Sequence, residues 1–163
     1  METINRIKVG ISDLRTGNRP DLLTTIGLGS CVGIALFDPD SGLGGLSHIM
    51  LPDSSAFSRE IKAPKFADLA VPMLVDELVK SGVRRGRLRA KIAGGASMFN
   101  YKDKTLNMNI GERNVEAVRR VLERLDVPLL AAHVGGTTGR TMTLYLDNMT
   151  VGVKLAGQPE IFI

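Results

Sequence analysis

The sequence predicts an α/β domain, a largely antiparallel sheet covered on one side by two main helices, and three observations carry that prediction. Short apolar runs bounded by turn residues recur along the chain, two of them are joined through Asp38, Pro39, Asp40, Ser41 and Gly42 as a hairpin, and two longer segments repeat their apolar residues at helical spacing. The 163 residues suit one ordinary domain, spanning residues 1–163, large enough to bury a core without disulfides or a structural metal.

Taken in order, residues 7–11 and 22–28 read as β segments, separated by the polar turn residues Thr16, Gly17, Asn18 and Pro20. The hairpin follows, with apolar runs at 32–37 and 43–51. Residues 65–80 carry Phe66, Leu69, Ala70, Met73, Leu74 and Leu78 on one helical face, with Gly82 as a cap and Pro72 placed to kink or split the helix. Residues 88–93 predict a strand running into Gly94 and Gly95. A second helix over 111–125 turns Val115, Val118, Leu122 and Leu125 inward and leaves Arg119, Arg120 and Arg124 to water. Strands at 129–134, 141–147 and 150–155 close the domain, the last two joined by a tight turn at Asn148 and Met149.

Composition excludes several classes of function. Apolar residues at 44% and charged residues at 23% are those of a globular protein rather than a disordered tail. No apolar run approaches the length of a spanning helix and the first residues lack the apolar core of a signal peptide, which predicts a cytoplasmic protein without membrane insertion. One cysteine and two separated histidines argue against disulfides and zinc, so no metal or cofactor is expected. The net charge of +4 concentrates in Lys80, Arg84, Arg85, Arg87, Arg89 and Lys91, but no aromatic residue interrupts that run to stack on a base, so it reads as a solvated turn and not a nucleic-acid surface.

Residues 25–53 carry the chemistry. The only cysteine, Cys31, follows a Gly27-Leu28-Gly29-Ser30 turn, and a cysteine that attacks a carbonyl needs uncovered backbone N–H groups for the oxygen that becomes negative. With the hairpin turn centred on Pro39 and Asp40, His48 lies directly opposite Cys31 on the same face, where Cβ atoms are about 4.5–5.5 Å apart. The small residues Gly33, Ala35 and Gly44 share that face and leave room for a substrate side chain or a packed neighbour. Thr24 and Thr25 on the preceding strand each offer a hydroxyl that could orient the imidazole without stabilising its charge as an aspartate would. His133 is the other histidine, with nothing in its surroundings pairing it with Cys31. Each residue also has an ordinary structural reading, as a buried small hydrophobe, a hydrogen-bonded core histidine or a turn glycine.

The segment resembles the CheD family, chemoreceptor glutamine deamidases of bacterial chemotaxis. The resemblance lies in Thr25-x-Gly27-Leu28-Gly29-Ser30-Cys31-Val32-Gly33, Ser47-His48-Ile49-Met50-Leu51-Pro52-Asp53 and Lys65-Phe66-Ala67-Asp68. It continues in Gly94-Gly95-Ala96-Ser97-Met98-Phe99, Ile110-Gly111-Glu112-Arg113-Asn114 and Gly135-Gly136-x-x-Gly139-Arg140, and so covers about residues 8–157. It implies Cys31 as nucleophile, His48 as base and Thr25 as its orienting partner, with Gly27, Gly29 and Ser30 forming the backbone loop of the oxyanion site. It also implies a layered α/β/β sandwich similar to the catalytic domain of the cytotoxic necrotizing factor toxins. Chemoreceptors are the implied protein substrate, and a CheC-type phosphatase is the implied partner. A regulatory binding protein acting on such a phosphatase is the alternative reading. Thr137 and Thr138 depart from the family pattern, in which an Asn is expected at the first of those positions.

Overall fold

The computed structural model describes residues 3–55, 57, 61–97 and 109–163. Met98 and Phe99, in one of the motifs above, lie outside them. Ten strands form two five-stranded sheets among the described residues. They are β1 (Arg6–Lys8), β2 (Asp13–Asn18), β3 (Leu22–Leu28), β4 (Val32–Asp38), β5 (Leu43–Ile49), β6 (Arg89–Gly94), β7 (Leu129–Val134), β8 (Arg140–Tyr145), β9 (Thr150–Leu155) and β10 (Ile161–Phe162). The central sheet has the order β2-β5-β4-β6-β7 and the outer sheet β1-β3-β8-β9-β10. Most pairs are antiparallel; β1 with β3 and β6 with β7 are parallel.

The helices α1 (Ala67–Lys80) and α2 (Ile110–Arg124) cover one face of the central sheet, and the outer sheet covers the other. Strand β4 lies in the middle and is buried along its whole length, as its unbroken apolar run requires. Val32, Ile34 and Leu36 point into the core shared with Ala70, Leu74, Leu78, Val118 and Leu122 of the helices. Ala35 and Phe37 point the other way, into a second core with Leu28, Met142, Leu144 and Val153 of the outer sheet. Each fully buried Leu or Ile contributes about 1.5–3 kcal/mol, and β5 and β6 also feed both cores, so the three layers are held together across the central sheet.

Several expectations change in the structure. Periodicity alone gave one sheet and fewer strands; the described residues hold two sheets and ten strands, the two β layers that the α/β/β resemblance implies. Residues 16–18, read as a turn, belong to β2, which pairs with β5 from Asp13↔His48 to Asn18↔Leu43. The strand expected at 7–11 shortens to β1. Pro72 lies inside α1 without ending it; the missing N–H removes one rung, while Ala70, Val71, Leu74, Val75 and Leu78 remain packed on the sheet. Helix α2 starts where Asn109 accepts from the Glu112 N–H at 3.0 Å and donates to its carboxylate at 3.2 Å, a variant of the capping box in which the glutamate accepts from the cap's side-chain amide instead of its backbone N–H. Its arginines Arg119, Arg120 and Arg124 are exposed as expected. The basic run at 80–91 holds a short 3-10 turn, Arg85–Arg87, in solvent, with Arg87 bridging Asp40 at 2.8 Å.

Candidate functional site

The hairpin turn contains four residues, Pro39 to Gly42, and closes through the Gly42 N–H to Asp38 O. It is therefore centred one residue later than expected, and the register moves by two: His48 pairs with Gly33, and Cys31 lies just past the last rung, Val32↔Ile49. An even shift preserves the face. Cys31 and His48 still point toward the outer sheet, as diagonal rather than direct neighbours, a relation in which Cα atoms are about 7–8 Å apart. The room predicted at Gly33 and Gly44 is taken by packed neighbours from the outer sheet. A Cβ at Gly33 would lie 2.6 Å from Met142 Sδ, and one at Gly44 2.6 Å from Leu146 Cδ2.

His48 is fully buried. Its Nδ1 lies 2.7 Å from Thr25 Oγ1, and that hydroxyl donates its proton to Val9 O at 2.7 Å. A threonine hydroxyl has one hydrogen. Because Val9 O takes it, Thr25 must accept from His48, which puts the imidazole proton on Nδ1 and leaves Nε2 with a bare lone pair. That Nε2 has no hydrogen-bond partner among the described residues. Burial lowers the His48 pKa to about 4, so the ring is neutral at physiological pH. The choice between the two threonines is resolved by strand alternation: Thr24 points to the opposite face and meets Thr143 Oγ1 at 3.0 Å.

Cys31 is half-buried. Burial pushes its thiol pKa up, and its own backbone N–H partly offsets this. The resting pair is thus a neutral thiol and a neutral imidazole, because the backbone N–H does not outweigh the burial of the thiol. Around it, the chain bends at Gly27, whose φ of 80° lies in the left-handed region, and a bulge interrupts the β3–β8 ladder between Thr25 and Leu28. Gly29 N donates back to Gly27 O, so this N–H is not open to a substrate. The N–H groups of Ser30 and Cys31 have no backbone acceptor among the described residues. N–H groups without a backbone acceptor beside a thiol are the kind of donor that a developing oxyanion requires.

The loop is held from behind. Gly95 N donates to Cys31 O and Ala96 N to Gly29 O, each at 2.8 Å. Gly94 has a φ of 117°, and a Cβ there would collide with Cys31 O, so only glycine permits this approach. Asn114 of α2 is fully buried and bonds the loop as well. Its part was not legible from spacing, which marks α2 only as amphipathic. His133 is engaged elsewhere: its Nδ1 accepts from Arg140, whose guanidinium also bonds the carbonyls of His133, Gly135 and Thr138. The loop carrying the exposed Thr137 and Thr138 is pinned in this way and also accepts from Ser97 N through Gly136 O. No cluster of three or more metal-ligating side chains occurs among the described residues.

Fold and site together define a candidate thiol–imidazole centre of the Cys–His class, set between the layers of an α/β/β scaffold, with a fully buried imidazole and a half-buried cysteine on one face of the central sheet. The chain belongs to the CheD family: the family described as CheD chemotactic sensory transduction matches residues 50–155. A protein of Clostridium botulinum strain Hall, named probable chemoreceptor glutamine deamidase CheD, is 53% identical over 154 residues, 94% of this chain and 95% of its own length. One of Clostridium kluyveri with the same name is 56% identical over 152 residues, 93% of each chain. Among solved structures, the Bacillus licheniformis hypothetical protein YfiH aligns with a TM-score of 0.48 and 17% identity over 77% of this chain and 50% of that one, a likeness that carries no functional argument.

Proposed function

We propose that this chain is a chemoreceptor glutamine deamidase, which hydrolyses the side-chain amide of specific glutamines in methyl-accepting chemotaxis proteins to glutamate and ammonia through a thioester on Cys31. The observation that carries the reading is the Val9–Thr25–His48 chain of hydrogen bonds, which leaves Nε2 of a neutral histidine bare on the face that bears the only cysteine. The relatives' names supply the substrate.

In the first step Sγ of Cys31 attacks the amide carbon as its proton passes to His48 Nε2. Because both groups rest neutral, proton transfer accompanies attack rather than preceding it. The amide oxygen becomes negative and takes the N–H groups of Ser30 and Cys31; a donor of this kind contributes about 2.7–4 kcal/mol to the transition state. The imidazolium then protonates the departing nitrogen, ammonia leaves, and the C–N bond has been exchanged for a C–S bond. Water, giving its proton to Nε2, opens the thioester, releases glutamate and returns the thiol. The Thr25 hydroxyl holds the ring but does not neutralise its transient charge, so the imidazolium is short-lived.

The same reading takes residues 1–163 as one deamidase domain working in the cytoplasm without a cofactor, on a fold shared with the cytotoxic necrotizing factor catalytic domain. It leaves a CheC-type phosphatase as a regulatory partner whose binding survives loss of the thiol. The test is mass spectrometry of a purified receptor signalling domain incubated with wild-type, Cys31→Ala and His48→Ala protein. Specific glutamines should gain the mass of an NH2-to-OH exchange with wild type and none with either variant. A competent receptor left unchanged by folded wild-type protein refutes the reading.

A further inference from the structure

Three consecutive carbonyls of the nucleophile loop are turned away from the thiol, and they are held differently. Those of Gly29 and Cys31 accept from backbone N–H groups of Ala96 and Gly95. That of Ser30 depends on one side chain: Asn114 Nδ2 donates to Ser30 O and to Met50 O, both at 2.9 Å. Two carbonyl acceptors fix which end of the amide is nitrogen. Both its protons are used, and its Oδ1 is buried with no partner among the described residues. A residue present only for packing would be apolar here; this one leaves an acceptor unsatisfied in order to aim two donors.

The Ser30–Cys31 peptide is trans, so its C=O and N–H point in opposite directions. Holding Ser30 O against α2 therefore directs the Cys31 N–H toward the thiol side of the loop. We infer that Asn114 is a positioning residue for the reaction, fixing the peptide plane that presents the Cys31 N–H to the substrate's carbonyl oxygen; this rests on the amide-hydrolysis reading above. Without it the peptide can rotate and turn a carbonyl oxygen, the wrong end of the dipole, toward the developing oxyanion. The second bond, to Met50 O two residues past His48, ties the same side chain to the strand that carries the base.

The experiment compares full-length wild type with Asn114→Leu, which keeps the bulk, and Asn114→Asp, which keeps the shape, reading ammonia release from a receptor domain, the rate of Cys31 alkylation by iodoacetamide, and thermal melting. Alkylation occurs at a tetrahedral carbon and forms no oxyanion. We expect kcat to fall about a hundredfold, as on loss of one oxyanion donor, with KM and the alkylation rate and its pH profile unchanged. Variants that keep wild-type turnover overturn the inference, and so does a parallel fall in turnover and alkylation, which marks general loosening of the loop. Absence of turnover in the wild type overturns the deamidase reading itself, and the inference with it, an outcome distinct from active variants beside an active wild type.

Discussion

Replacing Thr25 by valine removes one oxygen and keeps the side chain's shape, which isolates the hydroxyl as a tautomer-setting group. Two bonds of 2.7 Å disappear together, the one His48 Nδ1–H donates and the one Val9 O accepts. Each leaves a buried polar group unsatisfied at about 1–3 kcal/mol, so stability should fall by roughly 2–6 kcal/mol. With Nδ1 no longer bonded, nothing holds the proton there, and the tautomer protonated at Nε2, the atom required as base, becomes comparably populated. If the lost bond favoured the correct tautomer by about 1.4 kcal/mol, the ratio of competent to incompetent tautomer drops about tenfold, and freedom of the ring adds to the loss, so kcat/KM should fall by about tenfold. Thr25→Ser retains the hydroxyl and should retain most activity. Ammonia release from a receptor domain, measured beside urea unfolding of the same preparations, checks both effects. A folded Thr25→Val protein with wild-type kcat/KM would refute the tautomer argument.

The burial of His48 makes stability pH-dependent. Its pKa falls from an ordinary 6.5 to about 4 in the folded chain, so between those values the unfolded chain binds a proton that the native state refuses. Stability is full above about pH 6.5 and declines as pH falls toward 4, by up to ~3 kcal/mol; urea titrations across that window should show the slope, and His48→Gln should flatten it. The raised thiol pKa predicts that alkylation of Cys31 rises only at alkaline pH with no acidic plateau; a plateau near pH 5 would reveal a preformed thiolate–imidazolium pair instead. Gly94→Ala, with φ at 117° and its new Cβ against Cys31 O, should lose about 3 kcal/mol or more in thermal or chemical unfolding; wild-type stability would contradict the close approach.

What could be read from the sequence follows from which residues speak locally. The apolar runs of β3, β4 and β5 and the periodic faces of α1 and α2 announce themselves, because burial repeats at a fixed interval. Strand β2 does not: Leu14 is its only large apolar residue, Thr16, Gly17 and Asn18 are turn formers, and its strand character comes from the edge of β5. The hairpin register was missed by two because the aspartate–proline pair marks the turn's start and Gly42 closes it, yet the parity that puts Cys31 and His48 on one face survived. Alternation tells which face a residue takes but not which sheet its strand joins, so the division into two sheets came only through the resemblance and not through the pattern. Spacing alone left Thr24 and Thr25 open and only the resemblance chose Thr25, while Asn114 and Gly94 act on residues far away in the chain.

The nucleophile's backbone is held by partners that the ribosome supplies late. Cys31 and its loop emerge early, but the N–H groups that turn their carbonyls belong to Gly95 and Ala96, and Asn114 follows 84 residues after Ser30. A chain that has reached only Thr25, Cys31 and His48 has the reactive groups without the partners that set the loop's geometry.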